Sequence, residues 1–193
     1  MFREFLVATE EGETNPDMSE AVTCLAFEPT MPSKFMVGTR RGRVVSCRMA
    51  PKQGSSNMIL GVFDDMKKSR IMSVDRNPFY PKNFLVIRYN QLLCMYIINN
   101  NDKYRGPTAK IWCEDIKSSP IMWTKPSSAR LNGGCWSPVR MSVFFTVRED
   151  GVLDCWDILY NHNRPVLQVK IADHPLYAIK VFINVHLYTA FLL

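Results

Sequence analysis

Three histidines, His162, His174 and His186, stand 12 residues apart. That spacing puts no second ligand beside any of them, and no cysteine or carboxylate completes a metal set. His162 falls in the polar run Asn161-His162-Asn163-Arg164, which reads as a solvated loop between strands. His174 follows Asp173 and so has an acid-base partner, but no Ser or Cys follows in a nucleophile motif. The paired acids Asp64-Asp65, Glu114-Asp115 and Glu149-Asp150 lie in turn-like segments, where solvation or turn formation is their ordinary role. Glycine-rich phosphate loops, dinucleotide fingerprints and the HExxH zinc pattern do not occur. The six cysteines, Cys24, Cys47, Cys94, Cys113, Cys135 and Cys155, lie 19 to 47 residues apart, so none forms CxxC. They read as reduced, mostly buried thiols of a cytosolic protein. The expectation is a protein without catalysis, metal or cofactor.

The elements that would position any site come next. A chain of 193 residues, 47% hydrophobic and 22% charged, suffices for one packed domain or a fragment of a larger one. The N-terminal Met1 to Leu6 run meets acidic residues at once and lacks a secretory core. The most apolar stretch, Pro175 to Leu193, is interrupted by Lys180, Asn184 and His186. A charge at bilayer depth costs roughly 2.5–3.5 kcal/mol, so no membrane span is expected. The net charge of +6 concentrates in Arg40-Arg41-Gly42-Arg43 and Lys67-Lys68-Ser69-Arg70, each beside turn-forming residues. Without an aromatic strip beside them, these clusters do not predict nucleic-acid binding.

A repeat organises the chain. Pro29, Pro78 and Pro138 are each followed six residues later by a phenylalanine: Phe35, Phe84 and Phe144. A short strand-like run precedes each proline, and an apolar run continues past each phenylalanine. Gly42 and Gly151 both stand 13 residues after their proline, in polar turns that open an alternating strand. Glycine supplies the positive φ such hairpins require, and proline, lacking an N–H, ends a ladder. Each unit therefore reads strand, Pro-bearing turn, strand, Gly hairpin, strand. A fourth strand is expected in the second and third units, at Ser119–Trp123 and Pro165–Val169. Four short antiparallel strands per roughly 40 residues, closing on Trp156-Asp157, is the pattern of a WD-type propeller blade. Trp112 takes the place of Trp156 in the second unit. These tryptophans and Trp136 are expected in the core, and Trp123 partly exposed.

The fold expected is all-β, an incomplete WD40-type propeller of about three blades plus the start of a fourth. The units run over 21–57, 58–130 and 131–170, after a lead-in at 1–20. The second unit is too long: Trp112 lies 34 residues after Pro78, against 18 between Pro138 and Trp156. The excess, about 87–108, begins too apolar for a surface loop. It reads as an extra hairpin around Leu92 to Ile98 or as translated non-coding sequence.

The runs Met31 to Thr39, Arg76 to Leu85, Ala109 to Lys125 and Gly134 to Tyr160 resemble axonemal dynein intermediate chains, the outer-arm chains in particular. The resemblance covers about 21–53, 58–85 and 109–179. It lapses over 87–108 and again over 180–193, as intron read-through would produce. What it implies is a propeller of about seven blades, of which this chain supplies fewer than half. A chain so open is not expected to be stable alone. The resemblance further implies a non-catalytic scaffold that holds a dynein heavy chain, a second intermediate chain and light chains, with microtubule association through that complex. Its place would be the cytoplasm and cytoskeleton, in the axoneme of a cilium or flagellum. A generic WD adaptor with ubiquitin or RNA partners is the alternative. From turn position alone, Arg40, Arg41, Arg43, Arg148 and Glu149 are the expected partner-facing tips.

Overall fold

The structure is a computed structural model that describes residues 20–49, 58–64, 69–89, 107–183 and 188–192. The lead-in at 1–19, most of the anomalous segment including Leu92 to Ile98, and the residues Cys94, Asp65, Lys67, Lys68 and His186 lie outside them.

The strand-like runs flanking each proline form antiparallel ladders. β1 (Val22–Glu28), β2 (Met31–Thr39), β3 (Val44–Arg48) and β4 (Met58–Phe63) make the first sheet in chain order. β5 (Ile71–Arg76), β6 (Asn83–Arg88), β7 (Ala109–Cys113) and β8 (Met122–Trp123) make the second. β9 (Leu131–Trp136), β10 (Val143–Arg148), β11 (Val152–Asp157) and β12 (Leu167–Lys170) make the third. A hairpin of β13 (Ile179–Ile183) and β14 (Tyr188–Leu192) follows. All the secondary structure of the described residues is strand and turn, so the fold is all-β, three four-stranded blades and the opening of a fourth. The first strands pack side by side, β1 on β5, β5 on β9 and β9 on β13, which fans the sheets around one edge.

Three boundaries differ from those expected. Met58–Phe63 belongs to the first sheet, where β4 pairs with β3 from Arg48↔Met58 to Val44↔Phe63. The first unit therefore has its fourth strand and ends after Phe63, not at residue 57. Ile87 and Arg88 are strand, with Ile87 opposite Ala109 and Arg88 opposite Ile71. The anomalous segment therefore begins after them. β13 crosses the expected start of the tail at residue 180, because the apolar run from Ile179 continues the ladder through Ile183. The fourth strand of the second unit is shorter than expected, confined to Met122–Trp123.

The repeat's phenylalanines explain the core. Phe84 lies directly across from Trp112, and Phe144 lies between Trp136 and Trp156. The Phe144 and Trp156 rings stack at 5.6 Å with 3° between planes, and Trp136 meets Phe144 edge-on at 5.4 Å. Phe63 reaches across from the first sheet to touch Phe84 at 5.0 Å and Trp112 at 6.0 Å. All three tryptophans are buried, each large side chain contributing on the order of 1.5–3 kcal/mol by leaving water. Trp123 is half exposed. In the first sheet, the position opposite Phe35 is Cys47, so that blade lacks the tryptophan.

Candidate partner-docking surface

A rigid docking surface requires blades fixed relative to one another, and polar side chains do this at each junction. Thr23 Oγ1 donates to the Ile71 carbonyl at 2.6 Å, Ser73 Oγ to the Gly134 carbonyl at 3.0 Å, and Asn132 Nδ2 to the Leu176 carbonyl at 2.8 Å. Each bond runs from the first strand of one blade to the first strand, or its approach, of the next. The residue before each repeat proline acts at the end of that strand. Asn77 Oδ1 accepts the N–H groups of Phe79 and Tyr80, and Ser137 Oγ accepts those of Val139 and Arg140. These caps set the turn's shape. Asn77 Nδ2 also donates to the Met141 carbonyl at 2.8 Å, joining the second blade's turn to the third's.

In the first blade Glu28 replaces that capping residue, and a buried ionic cluster results. Arg76, whose side chain is 1% exposed, lies 2.7 Å from Glu114 and 3.6 Å from Glu28. Lys34 pairs with Glu28 at 3.0 Å and with Glu114, and Ser46 Oγ donates to Glu114 at 3.0 Å. Two positive and two negative charges thus balance between the first and second blades. Burial pushes the Glu114 carboxyl up, but the hydrogen bonds and charges of Arg76 and Lys34 outweigh it and hold the group below 4.5. The expected solvated role of Glu114 at a turn is overturned, because Arg76 needs a buried counter-charge. Its neighbour Asp115 is exposed and pairs with Lys82 at 3.0 Å.

The third blade carries its own polar column. Trp156 Nε1 donates to Thr146 Oγ1 at 3.0 Å, and Asp154 accepts from Gln168 Nε2 at 2.7 Å. Arg148 faces Asp154 at 3.6 Å, pairs with Asp150, and donates to Ser128 Oγ at 3.0 Å. Burial raises the carboxyl of Asp154, and likewise that of Asp75, which accepts the Trp136 N–H and the Lys180 ammonium. The five described cysteines are free. Cys47 and Cys135 are buried, and burial pushes their thiols up to about 11 and about 12, which keeps them protonated and unreactive.

The turns divide between two ends of the arc. At one end are the glycine hairpins. Gly42 and Gly151 both adopt positive φ, 96° and 79°, as the hairpins require. Arg40, Arg41 and Glu149 are exposed there. Arg43 pairs with Glu20 at 3.1 Å and Asp64 at 3.4 Å. Arg148 is buried and held by three partners, so it is not a partner-facing tip: it closes β10 and points back over the sheet. Asp157 ends β11 at the opposite end. Its Oδ1 accepts the Leu159 N–H at 3.1 Å, and its carbonyl accepts those of Tyr160 and Asn161.

That opposite end carries exposed apolar side chains beside the charged Lys82, Asp115 and Arg140. Leu159 and Tyr160, held out by Asp157, are 79% and 84% exposed. Phe79 and Tyr80 in the second blade's turn, and Val139 and Met141 in the third's, are each about half exposed. The turns touch: Tyr80 Oη lies 3.4 Å from Met141 Sδ, and the Ile158 N–H donates to the Ser142 carbonyl. Sequence reasoning passed over these residues because it looked for charge at turns. The signal was present in Pro78-Phe79-Tyr80 and Pro138-Val139-Arg140-Met141, where turns that face only water would be polar. His162 and His174 are exposed and stand apart from any acid-base constellation, and no group of three metal-ligating side chains occurs among the described residues.

Comparison with known proteins agrees with this architecture. The family described as the dynein axonemal intermediate chain 3 WD40 domain matches residues 17–187. Dynein axonemal intermediate chain 2 of Xenopus laevis is 40% identical over 86% of this chain and 25% of its own length. The ciliary dynein intermediate chain 3 of Heliocidaris crassispina is 36% identical over 92% of this chain and 27% of its own. The flagellar outer-arm 70 kDa intermediate chain of Chlamydomonas reinhardtii is 33% identical over 88% and 27%. The chain thus spans about a quarter of the length of these relatives. With matched repeats, three stitched blades and a family match over most of its length, the chain belongs to the WD-repeat family of axonemal dynein intermediate chains.

Proposed function

We propose that this chain is a non-catalytic scaffold segment of an outer-arm dynein, docking the heavy chain and neighbouring intermediate or light chains in the axoneme of a cilium or flagellum. Microtubule association comes through that complex, and neither nucleic acid nor membrane is a partner. The observation that carries the reading is the apolar end of the arc, above all Leu159 and Tyr160 on a turn braced by Asp157. Solvent-exposed aromatic and aliphatic anchors on a stiff frame are what a large protein partner can bury. Of the charged turn residues expected to face a partner, Arg40, Arg41, Arg43 and Glu149 stand at the other end, away from this dock. The names of the relatives supply the complex, and the blade junctions supply the rigidity.

The test is sedimentation of a tagged chain with the dynein particle of a high-salt axonemal extract. Serine at Phe79, Tyr80, Leu159 and Tyr160 is expected to release the chain from the particle, whereas alanine at Arg40 and Arg41 leaves it bound. Retention of the serine variant would refute the apolar end as the dock, and release by the arginine variant would restore the charged end. Circular dichroism of each variant checks that the sheets persist.

A further inference from the structure

Beside the outer half of the third blade lies a cavity of about 200 Å³. The connection after β8, residues 125–128, forms its wall on the second blade's side. Trp156, Asp154 and Gln168 line it from β11 and β12. These groups are already partnered through Thr146, Arg148 and one another. Two cations line the same cavity from different segments: Lys125, from the connection after β8, and Arg164, from the turn after β11. Both are exposed, and neither has an ion-pair partner among the described residues. Arg148, the third cation of the lining, is engaged by Asp150 and Asp154.

Two uncompensated positive charges on one small recess call for an anion. Its volume is below the roughly 300 Å³ at which small-molecule sites begin, and suits a single side chain. The indole of Trp156 offers an apolar wall for methylene groups. The Asp154 carboxylate, 1% exposed, opposes a doubly charged phosphate more than a singly charged carboxylate. We propose that this cavity receives a glutamate or aspartate side chain from an extended acidic segment of a partner protein, held between Lys125 and Arg164. The interaction is separate from docking at the apolar end and does not depend on it.

The experiment titrates fluorescein-labelled hexaglutamate into the full 193-residue chain at fixed ionic strength and follows anisotropy. The expected result is saturable binding, weakened about tenfold by K125Q/R164Q, since two partly desolvated charge contacts are lost together. R40Q/R41Q removes the same net charge at exposed turns outside the cavity lining and is expected to bind as the parent does. Hexaglutamine is expected not to bind. Equal weakening by both double variants would overturn the proposal, reducing the effect to net charge. Binding of a phosphoserine hexapeptide without binding of hexaglutamate would overturn the carboxylate assignment. Thermal unfolding of K125Q/R164Q at the parent midpoint would tie any lost binding to the cavity.

Discussion

An indole N–H that leaves water needs an acceptor, and the register-matched Trp112 and Trp156 differ in having one. In the third blade, Trp156 donates to Thr146, which lies two residues from Phe144 on β10. In the second, the residue two beyond Phe84 is Val86, and Trp112 Nε1 is buried without a partner. Such an orphan donor costs about 1–3 kcal/mol. Val86→Thr would put a hydroxyl where the matched register places the acceptor. It is expected to change stability by less than about 1 kcal/mol, whereas Val147→Thr, with no indole to serve, loses about 1–3 kcal/mol. Urea midpoints at unchanged slope decide this, and an equal loss in the two variants would refute the pairing. Gly151 is a second residue-scale case. A Cβ there would meet the Ala172 carbonyl oxygen at 1.9 Å, in addition to the strain of φ 79°. Left-handed backbone alone costs an alanine about 1–2 kcal/mol. Gly151→Ala should therefore lower the midpoint further than Gly42→Ala.

Between elements, the ionic cluster joins β1, β2, β5 and the turn after β7. Removing one partner of a buried set leaves the others uncompensated, so Arg76→Met is expected to cost about 3–5 kcal/mol. The acid dependence has a definite sign. Glu114 is held below its ordinary 4.5 when folded, so its contribution is complete above that value and is lost as pH falls through the lower, folded one. Asp75 and Asp154 act oppositely, because burial raises their folded values above 3.8 and their charged forms oppose folding. The Glu114 share is therefore the difference between parent and Glu114→Gln. Urea unfolding from pH 7 to 3 should show a shallower acid-side fall for the variant, and parallel curves would refute the pairing. Little of this was legible in the sequence. The Pro-to-Phe spacing was, since both residues act within one hairpin. Lys34 and Glu114 meet across 80 positions, a contact that no local pattern encodes. β4 was misassigned for a related reason: its apolar run carries no marker of which neighbour it pairs with, and only the ladder to β3 decides it.

At the scale of the whole molecule, successive blades cover one another's flanks, and no described blade stands beside the first blade's outer flank. Phe84 faces the first blade and Phe144 faces the second, so by the same register Phe35 faces where a preceding blade would stand. Phe35, Val37, Val45 and Cys47 cluster there, while Leu25 and Phe27 beside them are each 48% exposed. Phe27 leans on Phe35 at 6.0 Å and leaves its own outer face to solvent. That flank was foreseen from the blade count, whereas the apolar turns at one end were not, because turn chemistry alone does not reveal which end of an arc is wet. Exposed apolar side chains such as Leu25 and Phe27 favour association with another apolar surface. The chain by itself is therefore expected to self-associate as its concentration rises, and L25K/F27K to suppress this while leaving the blades intact. Sedimentation velocity over a concentration series measures it. A parent chain that stays monomeric throughout, or an association that L25K/F27K leaves unchanged, would show that the flank is not the adhesive surface. The serine variant of the apolar end serves as the comparison, since it removes exposed apolar area elsewhere without touching this flank.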